Sequence, residues 1–303
     1  MEDKSMYKKS LTLLYFAMIT AILILLSTAS CDQTIPIPNP TAAPTIQPGD
    51  FERKLTVNDL ERSYLLHIPS GLNSQQPLPV VFAFHGRTGT PKEMQTVTRF
   101  NIVADLGNFL VVYPEGIFRT WNAGDCCGYA MNHNVDEQAF IRQILADLDT
   151  IATIDPKRIY AVGYSNGGML AYRLACEMSE TFAAIAPVAG ALVYSPCQPQ
   201  QAVSVIHVHG LADTSVPYAG GTPHDFPPIE QVIANWVQLA GCTGSPHVES
   251  LVNIATHTTH TSCQAGTAVE LYTIDSLYHG WPSKKELLIS QIIWDFFAAH
   301  PKP

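Results

Sequence analysis

Two hydrophobic periods alternate along the chain. Short, nearly continuous apolar runs at 78–84, 109–113, 159–163, 182–188, 203–209 and 269–274 read as strands buried on both faces. Between them, stretches at 93–106, 136–150, 229–239 and 284–298 repeat apolar residues every three or four positions and read as helices, as does the segment opening at Met169. Two earlier segments, 54–57 and 63–69, read as an opening antiparallel pair. Strand and helix in turn predict an α/β fold, a mostly parallel central sheet with helices on both faces. Asp136, at the start of a helix, reads as its N-cap.

The N-terminal segment follows a different pattern. Lys4, Lys8 and Lys9 precede an apolar stretch at 11–26, and Ser27-Thr28-Ala29-Ser30 leads to Cys31. Residues 1–31 read as an export signal, with Cys31 the candidate for lipidation at the cut site. The apolar stretch is at the short limit for spanning a bilayer. Residues 32–50 are rich in Pro and Thr without periodicity, the composition of an extended tether. Residues 51–303 have the length of one catalytic domain. The expected location is outside the cell or on its surface, with membrane contact only through the lipid. A net charge of −9 and no basic cluster exclude a nucleic-acid partner. No His, Cys or Asp grouping has ligand spacing, so no metal and no cofactor is expected.

Chemistry concentrates at the ends of three predicted strands. The run ending at Tyr164 continues into Gly163-Tyr164-Ser165-Asn166-Gly167 and then a helix. G-x-S-x-G at a strand-to-helix junction places the serine on a sharp turn with its oxygen exposed. A serine hydroxyl needs a base and a carboxylate to orient that base. Asp213 follows the run 203–209, and His279 follows 269–274, in the order Ser, Asp, His expected of this fold. The oxyanion donors are expected from the backbone N–H groups of Arg87, in the turn after 78–84, and of Asn166. Thr88 is the alternative to Arg87. His85, His207 and His209 read as packed structural histidines. Trp121, Tyr164, Tyr278 and Trp281 are the candidate substrate contacts, with core packing an equal reading for the two tryptophans.

Seven cysteines suit an exported chain. With Cys31 lipidated, six remain, and about 15 pairings are open to them. Cys242 and Cys263 bracket a short hairpin-like stretch and are expected to pair. Adjacent cysteines rarely bond to each other, so Cys126 and Cys127 are expected to take Cys176 and Cys197 as partners.

Several stretches together resemble a known family. They are Trp121-Asn122-Ala123-Gly124-Asp125-Cys126-Cys127-Gly128, Asn134-Val135-Asp136-Glu137, Ile154-Asp155-Pro156-Lys157-Arg158, the serine motif, and His209-Gly210-Leu211-Ala212-Asp213. From Arg62 to Phe297 the chain is similar to the polyhydroxybutyrate depolymerase-like esterases, near the feruloyl and acetylxylan esterases of carbohydrate esterase family 1. The resemblance implies an α/β-hydrolase with Ser165, Asp213 and His279 as its triad. It departs from the family at Ser276-Leu277-Tyr278, where glycines are usual before the histidine. The expected activity is serine carboxylesterase, acting on feruloyl or acetyl esters of plant polysaccharide. A polyester depolymerase is the alternative ester substrate class. A catalytically inactive binding lipoprotein on the same scaffold is the alternative function class.

Overall fold

The strands fall where the apolar runs predict them, in a computed structural model that describes residues 47–72, 76–251, 254–282 and 287–303. Residues 1–46, with the signal, Cys31 and most of the tether, lie outside the described residues. Among the described residues ten strands form one sheet in the order β1-β2-β4-β3-β5-β6-β7-β10-β9-β8. They are β1 Gly49–Val57, β2 Leu60–Ile68, β3 Leu78–Phe84, β4 Leu110–Pro114, β5 Ile154–Tyr164, β6 Ala184–Val188, β7 Ser204–Gly210, β8 His247–Leu251, β9 Ala255–His260 and β10 Val269–Ile274. The central six, from β4 to β10, pair in parallel. An antiparallel pair extends the sheet at each end. Strand β1 begins at Gly49, so the ordered domain reaches two residues into the segment assigned to the tether.

Strands β3, β4 and β6 are apolar throughout because both faces are covered. Every residue of β3, β4, β6 and β7 is buried. One face packs a core holding Phe82, Phe140 and Leu170, and the other a core holding Val81, Phe109 and Phe297. The edge strands follow another rule. β1 carries Glu52, Arg53 and Lys54, and β8 carries His247 and Glu249, nearly all exposed.

The described helices are α1 Pro91–Thr98, α2 Phe100–Gly107, α3 Tyr129–Asn132, α4 Glu137–Asp149, α5 Asn166–Glu177, α6 Ile229–Leu239 and α7 Ile289–Ala299. The single helix expected over 93–106 is two. Arg99 sits at φ 55° and closes α1 through its N–H to the Gln95 carbonyl. The cause is the run Thr96-Val97-Thr98, β-branched residues that hold a helix poorly. The Thr98 hydroxyl donates to the Met94 carbonyl, and Ser290 of α7 donates to the Thr98 carbonyl, so the break is pinned from outside. The Asp136 carboxylate accepts the Ala139 N–H at 2.9 Å and caps α4.

The cysteine pairing differs from expectation at one point. Cys242 is bonded to Cys263, tying the end of α6 to the far end of the β8–β9 hairpin. Cys176 is bonded to Cys197, and Cys126 to its neighbour Cys127. The chain returning from β6 brings Cys197 to the C-terminal end of α5, where Cys176 is. That leaves Cys126 and Cys127 only each other, within a loop closed by the Ala123 N–H on the Cys126 carbonyl.

Three histidines lie buried at this end of the sheet. The Tyr172 hydroxyl, fully buried on α5, donates to His207 Nδ1 at 2.9 Å. His207 Nε2–H donates to His209 Nδ1 at 3.0 Å, and His209 Nε2–H donates to the Val216 carbonyl at 2.8 Å. This assignment of protons gives every ring nitrogen a partner. His85, after β3, donates from Nδ1 to the Gly86 carbonyl and accepts the Gly116 N–H at Nε2. Burial holds His207 and His209 below the ordinary histidine range and His85 down to about 4. The unfolded chain therefore takes up protons near pH 6.5, where the folded chain does not. Stability from these groups is complete above that pH and is lost as the pH falls toward 4. His85 alone contributes on the order of 3 kcal/mol to this loss. The urea midpoint is expected to drop clearly between pH 7.5 and pH 5, before the carboxylates protonate. An unchanged midpoint over that interval would contradict the buried neutral histidines.

Candidate active site

Ser165 stands between β5 and α5 at φ 54° and ψ −119°, a backbone state that a non-glycine residue adopts only under constraint. The constraint comes from glycines without room for a side chain. A Cβ on Gly163 would lie 2.1 Å from the Gly167 carbonyl oxygen, and one on Gly167 would lie 2.3 Å from the Phe84 carbonyl oxygen. Strand and helix thus touch backbone to backbone. The Ser165 N–H donates to the Val188 carbonyl at 2.8 Å, which fixes the turn to β6.

Asp213 and His279 arrive from the neighbouring strand ends. β7 and β10 are paired in parallel, so the loops that follow them leave the same edge of the sheet as the serine turn. The Ala212 N–H donates to the Leu277 carbonyl, joining the two loops. His279 Nδ1 lies 2.7 Å from Asp213 Oδ2, and His279 Nε2 lies 2.9 Å from Ser165 Oγ. The Asp213 side chain is fully buried. Burial would push its carboxyl up, but the hydrogen bonds from His279 and from the N–H groups of Val216 and Ser215 hold it below the usual carboxylate range. The N–H groups of Ser215 and Val216 meet the other oxygen, Oδ1, at 2.8 and 2.9 Å. Asp213 is thereby ionised, oriented and aimed at His279 by its own loop.

The turn after β3 runs directly beside the serine. A Cβ on Gly86 would lie 3.3 Å from Ser165 Cβ. Thr88, at φ 65°, gives its N–H to the Arg119 carbonyl at 2.8 Å, so it has no donor left for a ligand. The Arg87 N–H takes no partner among the described residues, and the Asn166 N–H opens the first turn of α5, where helices leave donors unpaired.

The four aromatic candidates separate. Trp121 is completely buried and shows no face to a ligand. Its N–H donates to Asn166 Oδ1 at 2.8 Å and its indole N–H to the His85 carbonyl at 2.8 Å, so it braces the serine turn from below. Tyr164 donates its hydroxyl to the His279 carbonyl at 3.1 Å. Tyr164 and Trp281 line a cavity of about 360 Å³ with Gly86, Arg87, Met94 and Val97. Tyr278 is 71% exposed and does not line that cavity, whereas Leu277 is buried against Gly210. The bulk that replaces the usual glycines therefore packs inward or points to solvent.

Two groups that frame the site have partners the sequence did not reveal. Glu137 is buried, accepts the Asn122 N–H and pairs with buried Arg62 at 3.1 Å. Burial pushes the Glu137 carboxyl up, and the Arg62 guanidinium counters this. The pair holds the Trp121-Asn122 segment against the start of α4 and ties it to β2. An acidic residue next to a capping aspartate was the only trace of it. The second group is His209, whose Nε2 is 3.6 Å from Asp213 Oδ2. The spacing His-Gly-x-x-Asp was in view, but the link to Val216 was not.

Known proteins share this arrangement of elements. The family described as "Esterase PHB depolymerase" matches residues 62–220. NocK of Nocardia uniformis subsp. tsuyamanensis, an esterase by name, is 30% identical over 234 residues, covering 69% of this chain and 68% of its own. Feruloyl esterase B of Piromyces equi is 26% identical over 251 residues, covering 78% of this chain but only 44% of its own, so this chain spans less than half of that relative. The structure of an acetyl xylan esterase from Aspergillus awamori superposes with a TM-score of 0.61 at 15% identity, over 82% of this chain and 99% of its own. The fold is that of the α/β-hydrolase esterases, and the chain belongs to the Esterase PHB depolymerase family as a carboxylic ester hydrolase.

Proposed function

We propose that Ser165, His279 and Asp213 carry out the ester hydrolysis, and that the natural substrate is a feruloyl or acetyl ester on plant polysaccharide. The observation that supports this best is one imidazole spanning a serine oxygen and a buried carboxylate. Ser165 Oγ attacks the ester carbonyl while His279 Nε2 takes its proton. The oxyanion of the tetrahedral intermediate is met by the N–H groups of Arg87 and Asn166, one such donor being worth about 2.7–4 kcal/mol. His279 then protonates the leaving alcohol, and water enters by the same route to release the acid. Asp213 holds the tautomer that leaves Nε2 free to accept and stabilises the imidazolium. The cavity at Tyr164 and Trp281 suits a planar aromatic acyl group, and relatives named feruloyl esterase and acetylxylan esterase support the polysaccharide reading.

We further propose export, with the lipid attached at Cys31. Disulfides persist in oxidising compartments, and three are present among the described residues. Cys31→Ala is expected to move the protein from the membrane fraction into the medium. Wild-type protein found free in the medium would refute the attachment.

Ser165→Ala is expected to reduce hydrolysis of methyl ferulate and p-nitrophenyl acetate to background with Tm nearly unchanged. Turnover close to wild type would remove Ser165 as nucleophile. Asp213→Asn is expected to lower kcat by about 10⁴ through the wrong histidine tautomer, with a small effect on KM. A panel of methyl ferulate, acetylated xylan, polyhydroxybutyrate and an aromatic polyester decides the substrate class. Highest kcat/KM on either polyester would replace the polysaccharide reading.

A further inference from the structure

The turn after β3 is held by a buried histidine to which the ester chemistry above gives no part. His85 is buried, with its Nδ1 2.8 Å from the Gly86 carbonyl oxygen and its Nε2 3.0 Å from the Gly116 nitrogen. A carbonyl can only accept and a backbone N–H can only donate. These partners therefore permit a single tautomer, a neutral ring with its proton on Nδ1. Both ring nitrogens are engaged with the main chain, and neither is left to exchange a proton with a substrate. Burial lowers the ring to about 4, so it stays neutral through the range around pH 7.

What the ring holds is a peptide plane. Gly86 to Gly89 close a tight turn, in which the Gly89 N–H donates to the Gly86 carbonyl at 2.9 Å. With the bond from His85, that oxygen accepts two donors, and the two together fix its direction. The Gly86–Arg87 peptide bond is trans, and a trans peptide is planar with its C=O and N–H pointing opposite ways. Fixing the Gly86 carbonyl therefore fixes the Arg87 N–H, the donor without a partner among the described residues. The rest of the turn is gripped by the loop that carries Gly116. The Thr88 N–H meets the Arg119 carbonyl, and Arg119 Nε donates to the Gly89 carbonyl at 3.1 Å. His85 also abuts the serine helix. A Cβ on Gly167 would lie 2.6 Å from the His85 carbonyl oxygen, which accepts the Trp121 indole N–H.

We propose that His85 is a positioning residue: through the Gly86 carbonyl it sets the direction in which the Arg87 N–H meets the oxyanion. This rests on the reading above, in which Ser165 attacks and Arg87 supplies a donor. Without the His85 bond the turn still closes through Gly89, but the Gly86–Arg87 plane is free to tilt, and glycine opposes such a change weakly. A donor turned well off line loses most of its hydrogen bond. The ester carbonyl oxygen carries little charge before attack and a full charge in the tetrahedral intermediate. Misdirection of the donor therefore falls on kcat and spares KM. His85 acts only through the main chain and gives no hydrogen bond to the substrate.

Two substitutions separate the two bonds of the ring. Asparagine sets an amide N–H near the place of Nδ1 and keeps the donor to Gly86. Glutamine sets its carboxamide near the place of Nε2 and keeps only an acceptor for Gly116. In the full chain, His85→Gln is expected to lower kcat for p-nitrophenyl acetate about 10- to 100-fold with KM little changed, and His85→Asn to recover most of that loss. A trifluoromethyl ketone reports on the oxyanion itself. Ser165 Oγ adds to its carbonyl carbon, and the former carbonyl oxygen takes the oxyanion's place. Its inhibition constant is expected to rise in His85→Gln in step with the fall in kcat. Equal losses in the two variants, no loss in His85→Gln, or a loss of kcat with unchanged ketone inhibition each overturn the positioning role. They leave the serine reading standing. A wild-type enzyme that the ketone does not inhibit removes the serine reading, and the role of His85 with it. Should neither variant fold, ¹⁵N-histidine NMR of the wild-type chain decides: a neutral His85 ring with its proton on Nδ1 supports the role, and a proton on Nε2 overturns it.

Discussion

Backbone contact between β5 and α5 is the constraint on which the site depends. Gly163 and Gly167 leave no space for a methyl group, and Gly190 passes with a Cβ position only 2.7 Å from the Ser165 carbonyl oxygen. Three chain segments therefore meet at main-chain distance around one residue. The meeting forces Ser165 into its left-handed turn and lifts its oxygen clear of the sheet. It also brings the N-terminus of α5 next to the turn after β3, where Gly167 lies against the Phe84 and His85 carbonyls. Any added volume here separates all of these parts at once.

Around that contact the polar framework is arranged in two layers. The outer one is His279 and Asp213 with the loop N–H groups that orient the carboxylate. The inner one consists of buried groups that never reach the cavity: Trp121 and Asn166 on one side, Tyr172, His207 and His209 on the other. Each inner group satisfies a neighbour's donor or acceptor, as burial requires. The inner layer lets loops with little regular structure behave as rigidly as the strands that carry them.

Much of this was legible in the sequence because the physics involved is local. A strand buried on both faces must be mostly apolar, so β3, β4, β7 and β10 announce themselves. The glycine spacing around Ser165 has few uses other than a tight strand-to-helix turn. Asp213 and His279 could be placed at strand ends because each follows such a run. What stayed hidden depends on partners distant in the chain. The break at Arg99 needs Ser290 of α7 to hold it. Strands β8 and β9 are rich in Thr, His and Ser and lack an apolar alternation, since much of both lies toward solvent. The burial of Trp121 depends on Asn166, 45 residues later. The cysteine pairing was decided by where the chain returns from β6, which no spacing rule contains.

The charged edges of the sheet have a bearing on the surroundings in which such an enzyme works. A sheet ends in unpaired N–H and C=O groups, and two molecules side by side can join along them. β1 and β8 set Glu52, Arg53 and Lys54 on one margin and His247 and Glu249 on the other. An enzyme held at high local concentration meets copies of itself far more often than in dilute solution. Charged, solvated margins of this kind oppose the joining of neighbouring copies into one continuous sheet, so high local concentration need not become aggregation.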